Sequence, residues 1–234
     1  MNYIKKYLLS LIERSYKDND KNIISLLEIN SSAKIVDLGC DDGRWTKQIS
    51  SKIHSKNIFG VEIVEKRRRL ASKRKIEVHS FNLNEKFQFK SNFFDVVHSN
   101  QVIEHLYNTD LFISEIYRIL KPGGYAIIGT ENLSSWHNIF ALTFGFQPFS
   151  MTNYSDLGNI GNPFSLWNGK ITRNSKLKSW QHNRLFSYFG LVDIFKKHKF
   201  TVEIVKTSGY YPFPGVLSKI DPVHGHWITI KVRK

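Results

Sequence analysis

A short acidic segment with two glycines is the part of the sequence best suited to binding a ligand. It reads Asp37-Leu38-Gly39-Cys40-Asp41-Asp42-Gly43 and follows the apolar pair Ile35 and Val36. In a parallel sheet, ligands bind beyond the carboxyl ends of the strands, where a glycine turn lets backbone amides and a helix N-terminus approach them. The segment therefore predicts a ligand site, with an ordinary strand-to-helix turn as the alternative.

The spacing of the glycines and acids indicates the kind of ligand. A dinucleotide site needs Gly-x-Gly-x-x-Gly, which Gly39 and Gly43 do not match, and Asp41 and Asp42 would repel a pyrophosphate. Glu62 ends the next predicted strand, roughly 20 residues past Gly43, where a carboxylate accepts both hydroxyls of a ribose. A solvated strand-end Glu is the simpler interpretation of Glu62 alone. Together these residues predict a nucleoside cofactor without phosphate.

Strands and helices are predicted to alternate around this segment. Apolar runs place strands at residues 34–38, 58–62, 76–79, 94–99, 125–130, 201–206 and 227–232, and periodic patterns place helices at 64–75, 110–120 and 186–198 among others. Strands separated by helices form βαβ units with right-handed crossovers. The predicted fold class is therefore α/β with a mostly parallel sheet.

Two segments lie outside this alternation, within a single predicted domain at 1–234. Residues 1–30 form a helical cap: an amphipathic helix carrying Ile4, Leu8 and Ile12, a polar stretch at 17–22 and a second short helix. Residues 132–185 follow the fifth strand and are rich in aromatic residues. We interpret them as an insertion that forms a lid over the ligand-binding edge of the sheet.

The motifs, in this order, resemble the class I S-adenosylmethionine-dependent methyltransferases, in particular the small-molecule, ubiquinone-biosynthesis-like group. The resemblance covers about residues 34–130. It rests on Val36 to Gly43, Gly60-Val61-Glu62, Phe94-Asp95-Val96-Val97, Val102-Ile103-Glu104-His105-Leu106 and Arg118-Ile119-Leu120-Lys121-Pro122-Gly123-Gly124. It implies a Rossmann-like sheet of seven strands with helices on both faces, methyl transfer as the reaction and S-adenosylmethionine as the cofactor.

Carried over residue by residue, the resemblance implies contacts with each part of the cofactor. The methionine end would meet Asp37, Gly39, Cys40, Asp41 and Ser99. The ribose and adenine would meet Glu62, Ile63, Asn82 and Leu83. Two positions depart from the family pattern: Asp41 replaces the usual middle glycine, and Asn82 replaces the usual acid, although its amide oxygen still accepts a hydrogen bond.

His182 is the candidate catalytic base. An acceptor hydroxyl or amine loses a proton during methyl transfer, and histidine is a usual base. His182 stands where the aromatic insertion returns to the sheet. Capping of the following helix is the alternative role, and His137 is the second choice as base.

No metal site is predicted. Glu104-His105 looks like an acid and imidazole that bind a metal in a few relatives, but those have a further Glu where this chain has Gln101. We therefore favour a structural role for the pair. Cys40 is interpreted as a packing residue, and His224-Gly225-His226 as a turn before the last strand.

The charge of the chain bears on its partners. Its 234 residues have 34 Lys and Arg against 20 Asp and Glu, a formal net charge of +14. Part of this charge lies in the insertion, at Lys170, Arg173, Lys176, Lys178 and Arg184. These cations favour a small or glycan-like anionic acceptor, methylated on oxygen rather than nitrogen. The basic helix at 64–75 is interpreted as a solvated face.

Two other functions remain open from the sequence. A basic chain rich in aromatic residues suits an RNA methyltransferase or RNA-binding protein on the same fold. The second alternative is a non-catalytic cofactor-binding or membrane-surface protein. Its interfacial stripe would consist of Trp136, Ile139, Phe140, Thr143 and Phe144. One cysteine and the lack of a secretory leader or long apolar run favour a cytoplasmic location.

Overall fold

The computed structural model describes residues 3–155, 158–165 and 181–234. Within these residues, seven strands form one sheet: β1 Lys34–Leu38, β2 Asn57–Val61, β3 Glu77–His79, β4 Phe94–Asn100, β5 Leu120–Glu131, β6 Thr201–Ser208 and β7 Trp227–Arg233. Their order is β3-β2-β1-β4-β5-β7-β6. The first five run parallel and β7 runs antiparallel to β5 and β6. The predicted α/β fold class is confirmed.

Helices cover both faces of this sheet: α1 Tyr3–Leu26, α2 Arg44–Ile53, α3 Glu65–Lys73, α4 Thr109–Ile119, α5 Trp136–Thr143 and α6 Tyr188–Lys197. One core cluster contains Phe112 of α4 and Phe195 of α6, and the other contains Ile23 of α1 and Ile49 of α2, all fully buried. Burying each such side chain contributes about 1.5–3 kcal/mol. The helices thereby hold the strand ends that carry the candidate ligand site.

The N-terminal segment differs from the prediction, because α1 is one continuous helix where the sequence predicts a polar break at 17–22. Two of these polar residues, Asn19 and Asn22, face the sheet. Asn19 is buried and its Oδ1 accepts a hydrogen bond from Thr229 Oγ1 at 2.8 Å, while Asn22 Nδ2 donates to the backbone oxygen of Thr207 at 3.1 Å. These bonds satisfy polar groups that periodicity alone assigns to solvent. The side chain of Ile4 lies outside the described residues.

The segment after β5 begins with α5 and a short 3-10 helix at Phe149–Tyr154. Residues 156–157 and 166–180 lie outside the described part of the chain, and with them Lys170, Arg173, Lys176 and Lys178. A second covering segment joins β6 to β7 through 3-10 helices at Gly215–Lys219 and Pro222–His224. Among the helices that the structure describes, none is both long and apolar enough to cross a membrane.

Candidate active site

The turn after β1 folds tightly over the end of β2. The backbone N–H groups of Gly39 and Cys40 both donate to the carbonyl oxygen of Val61, at 2.9 and 3.0 Å. Gly39 has a φ of +84°, and a Cβ there would lie 2.5 Å from a methyl carbon of Val102. The turn therefore requires glycine at this position both for its backbone conformation and for the space available.

Asp41 occupies the position where the family pattern has a glycine. Its φ is +48°, in the left-handed region that glycine adopts most readily. Its carboxylate is largely exposed and lies 3.2 Å from Nε of Arg67 on α3. The side chain thus points away from the turn, and the basic helix neutralises part of the turn's negative charge.

Glu62 lies directly after β2 with its carboxylate held against this turn. Its Oε2 accepts a hydrogen bond from the Asp41 backbone N–H at 3.1 Å, and its Oε1 accepts one from the Val64 N–H at 2.7 Å. Each carboxylate oxygen retains a further lone pair. Fixed in this way at the rim of the turn, Glu62 is able to accept the two hydroxyls of a ribose.

Both oxygens of the Asp37 carboxylate form hydrogen bonds inside the protein. Its Oδ2 accepts from Thr46 Oγ1 at 2.6 Å, and its Oδ1 lies 2.7 Å from Nδ1 of His98. Trp45 Nε1 donates to Nε2 of His98 at 3.3 Å, so His98 carries its proton on Nδ1. Asp37 therefore holds β1, α2 and β4 together beneath the turn. His98 was not predicted as a site residue, although a histidine within a buried apolar strand could have been noticed in the sequence.

The other cofactor residues named from the sequence lie around the same edge of the sheet. Ser99 is buried and donates to the carbonyl oxygen of Leu38 at 3.0 Å. Ile63 is 41% exposed and offers an apolar surface beside Glu62. Asn82 uses its amide oxygen to cap the turn at Asn84, whose backbone N–H lies 3.0 Å away, and Leu83 packs against the main core.

The thiol of Cys40 is buried against Gly60 of β2. Burial, followed by the nearby carboxylates of Asp37 and Glu62, raises the pKa of this thiol far above its ordinary value. The neutral thiol is a poor nucleophile. Its place in the structure is that of a packing residue.

A second cluster of polar side chains follows β4 and β5. Glu104 is fully buried; its Oε2 accepts from Thr130 Oγ1 at 2.9 Å, and its Oε1 has no hydrogen-bond partner within the described part of the chain. Burial, with a smaller contribution from Glu131, raises the pKa of Glu104 to about 8. The ligand atoms of Glu104, His105 and His182 lie within 4.8 Å of one another. The fold thus joins His182 to a pair from which it is 77 residues distant in sequence.

Both histidines of this cluster are fixed by backbone carbonyl groups. His105 Nδ1 lies 2.9 Å from the oxygen of Gln181, and His182 Nδ1 lies 2.6 Å from the oxygen of Ser150. Burial lowers the pKa of both rings, that of His105 to about 4, so both are neutral at pH 7. With Nδ1 donating to a carbonyl, each ring keeps a lone pair on Nε2.

This donor set fits a divalent cation. Glu104 offers one carboxylate oxygen and each histidine one ring nitrogen as candidate ligands, and carbonyl partners orient metal-binding imidazoles in the same way. Imidazole and carboxylate together suit zinc, manganese or iron better than magnesium or calcium. Gln101 presents a buried, unpartnered Nε2, which is a donor and not a ligand. The third ligand is His182, which sequence spacing does not connect to the pair.

Glu131, at the end of β5, borders a cavity of about 680 Å³. The cavity is walled by α1, α5, the 149–154 turn and the segment joining β6 to β7, with Leu8, Ile12, Phe140, Phe149, Phe213 and Trp227 on its surface. This volume is typical of a small-molecule site. Because Glu131 ends a parallel strand, the cavity opens at the same sheet edge as the turn after β1.

The titratable side chains on the cavity wall are those of Glu131, His137 and His226, together with Tyr16 and Tyr211. Burial raises the pKa of Glu131 to about 7, and its Oε2 has no hydrogen-bond partner among the described residues. Burial lowers the pKa of His137 to about 3 and that of His226 well below its usual value, and the two rings meet at 3.0 Å between Nε2 and Nδ1. His182 lies behind this wall, with Nδ1 3.9 Å from Oε2 of Glu131.

Comparison with known protein families identifies the family to which this chain belongs. A family profile described as a methyltransferase domain matches residues 11–205. The chain belongs to this methyltransferase family. The cofactor is S-adenosylmethionine.

Curated relatives of this methyltransferase are about a quarter identical to it over roughly half of its length. The mitochondrial ubiquinone biosynthesis O-methyltransferase of Rattus norvegicus is 28% identical over 126 residues, covering 50% of this chain and 36% of that protein. The malonyl-[acyl-carrier protein] O-methyltransferase of Marinomonas is 27% identical over 142 residues, covering 57% and 52%. The chain thus spans between 36% and 52% of the length of these two relatives.

The chain is also similar to an N-methyltransferase and to a solved structure. Phosphoethanolamine N-methyltransferase 2 of Caenorhabditis elegans is 26% identical over 119 residues, covering 48% of this chain and 27% of that protein. A Thermotoga maritima structure, described as a SAM-dependent methyltransferase and possible histamine N-methyltransferase, superposes with a TM-score of 0.62 at 22% identity. It covers 96% of this chain and 91% of that one, which shows that the fold is shared.

Proposed function

We propose that this methyltransferase transfers a methyl group from S-adenosylmethionine to a hydroxyl oxygen of a small molecule. The observation that carries the proposal is the cavity beside Glu131, which opens at the sheet edge that also carries the cofactor turn and Glu62. Two of the three relatives described above are O-methyltransferases and one is an N-methyltransferase. Transfer to oxygen is favoured because a carboxylate borders the cavity, where an acceptor hydroxyl must release a proton.

The protein contributes alignment and exclusion of water. Bound S-adenosylmethionine supplies a methyl group on a positively charged sulfur, already activated for transfer. Glu62 fixes the ribose, the turn after β1 fixes the methionine end, and the apolar cavity holds the acceptor oxygen in line. Positioning of this kind accounts for much of the acceleration of a two-substrate reaction. The new C–O bond forms as the C–S bond breaks, and the sulfur retains the electron pair.

The acceptor proton passes to a base at the cavity wall. Glu131 and His182 are the first candidates, with 3.9 Å between Oε2 and Nδ1. Glu131 lines the cavity, as does His137, the second choice from the sequence. His182, our candidate from sequence, already donates from Nδ1 to Ser150, so its free nitrogen is Nε2. A divalent cation held by Glu104, His105 and His182 would supply Lewis-acid polarisation of an acceptor oxygen.

Several expectations from the sequence enter here as proposals. The enzyme acts in the cytoplasm as one domain, with residues 1–30 as a cap and 132–185 as a lid. A small or glycan-like anionic acceptor was expected from five cations. Four of these lie outside the described residues, and Nε of the fifth, Arg184, donates to the carbonyl oxygen of Tyr107 at 3.1 Å. The anionic acceptor therefore depends on cations that the described structure does not locate.

Calorimetric titration with S-adenosylhomocysteine tests the cofactor assignment. The Glu62→Ala variant should bind at least tenfold more weakly than the unchanged protein, because the ribose loses its charged hydrogen-bond acceptor. Glu65→Ala, three residues further on and exposed on α3, is the matched control and should bind normally. Equal affinities in the two variants would remove Glu62 from the site, and absence of binding to the unchanged protein would end the proposal.

A further inference from the structure

The lining of the cavity beside Glu131 indicates the class of acceptor. We propose that this cavity binds an uncharged, apolar molecule bearing a single hydroxyl, and that the hydroxyl hydrogen-bonds to Glu131. The proposal deepens the function above and rests on it for the methyl-transfer step. Binding of an acceptor to the cavity, however, is measurable without the cofactor.

The walls of the cavity are contributed by four separate segments and are almost wholly apolar. Leu8 and Ile12 come from α1, Phe140 from α5, Phe149 from the turn that follows and Phe213 from the β6–β7 connection. At roughly 25 cal/mol per Å² of apolar surface, an apolar ligand gains affinity from most of its area here. A sugar would instead leave many hydroxyls without partners.

Charge on the lining excludes a phosphorylated or carboxylated ligand from the described part of the cavity. Among the described residues, those that line it include neither lysine nor arginine. Its two histidines, His137 and His226, are partly buried and face each other with 3.0 Å between Nε2 and Nδ1, an arrangement that two charged rings would not adopt. An anion placed here would lose its hydration without gaining a cationic partner.

The unpartnered polar atoms on the wall match one hydroxyl group. Oε2 of Glu131 and Nδ1 of His137 are buried, and neither has a hydrogen-bond partner among the residues that the structure describes. Buried polar groups in folded proteins are otherwise nearly always paired, so these two mark places where a ligand group belongs. A hydroxyl donates to the carboxylate oxygen and also offers an acceptor.

Apolar surface continues from the cavity to the outside of the protein. Lining residues Phe140, Phe164 and Phe213 are each more than half exposed. Singly exposed aromatic residues are common, but here they adjoin one cavity. A ligand with an apolar tail would place its hydroxyl at Glu131 and extend the tail along this rim.

The test uses tryptophan fluorescence, because Trp136 and Trp227 line the cavity. Three probes are titrated into the full chain: 4-hexylphenol, hexylbenzene without the hydroxyl, and 4-hexylphenyl phosphate. We expect 4-hexylphenol to bind at least tenfold more tightly than either of the others. Equal or tighter binding of the phosphate would overturn the proposal in favour of an anionic acceptor. Absence of binding by 4-hexylphenol would also overturn it.

Two variants connect the binding to this cavity. Glu131→Met should reduce the preference for 4-hexylphenol over hexylbenzene at least fivefold, while Glu13→Met, the same change at an exposed position of α1, should leave it unchanged. Ile12→Trp should fill the cavity and weaken both probes at least tenfold. An unaltered preference in Glu131→Met contradicts the proposal, even if Ile12→Trp does not fold.

A parallel titration with S-adenosylhomocysteine separates this inference from the proposed function. Probe binding with the expected order but no cofactor binding would leave an apolar ligand site and refute methyl transfer. Cofactor binding with the phosphate as the preferred probe would retain the methyltransferase and refute the apolar acceptor.

Discussion

Two carboxyl groups beside β5 are withdrawn from solvent. Glu104 is fully buried and Glu131 is largely buried, and burial raises the pKa of each, to about 8 and about 7. Such shifts concentrate at functional sites, because a group poised near neutral pH exchanges protons readily. Asp37 shows the opposite arrangement, since Thr46 and His98 occupy both of its oxygens. The carboxyl groups of Glu104 and Glu131 therefore differ in role from that of Asp37, which links neighbouring elements of the fold.

The pH dependence of stability tests the environment of Glu104. Its carboxyl stays protonated in the folded protein up to about pH 8 but ionises near pH 4.5 when unfolded. The folded state thus holds the extra proton in this window, and the free energy of unfolding falls as pH rises through it, by at most about 1.4 kcal/mol per pH unit. In chelator, Glu104→Gln should be less sensitive to pH than the unchanged protein in urea unfolding at pH 5 to 8.

The exposed Glu13→Gln variant is the control for this measurement and should follow the unchanged protein. If Glu104→Gln shows the same pH dependence as that control, the carboxyl is ionised in the folded protein. In that case, a positive charge near the unpartnered oxygen of Glu104 would stabilise the ionised carboxylate.

At the scale of elements, the turn after β1 and the strands around it follow from local sequence. The predicted parallel core, from residues 34–38 to 125–130, agrees with β1 to β5 because strand patterns and glycine turns are local signals. The continuity of α1 was not predictable, since Asn19 and Asn22 form hydrogen bonds with Thr229 of β7 and Thr207 of β6, about 200 residues away. The hydrophobic periodicity of a helix depends on local sequence and contains no information on such distant hydrogen-bond partners.

Two glycines with similar backbone conformations test the packing of this turn. Gly39 and Gly123 have φ values of +84° and +78°, so alanine suffers a similar backbone strain of about 1–2 kcal/mol at each. Only at Gly39 would a Cβ meet another residue, Val102 at 2.5 Å. Gly39→Ala should therefore destabilise the protein by about 1–3 kcal/mol more than Gly123→Ala, measured by urea unfolding. Equal losses would show that Val102 moves aside without cost.

At the scale of the whole molecule, the acceptor cavity was beyond prediction from sequence. Its walls combine α1, α5 and the β6–β7 connection, and Glu131, the carboxylate at its border, belongs to no motif that the sequence displays. The sequence did place an aromatic insertion over this edge, and Phe140 and Phe149 of that insertion line the cavity. The described lining of this cavity contains neither lysine nor arginine, so the net charge of +14 does not extend to that part of its wall.

A crystal structure with S-adenosylhomocysteine tests the central claim most directly, that cofactor and acceptor meet at one edge of the sheet. The account predicts the ribose hydroxyls on Glu62 and the sulfur at the opening of the cavity bordered by Glu131. A ribose bound away from Glu62, or a sulfur separated from that cavity by protein, would contradict it.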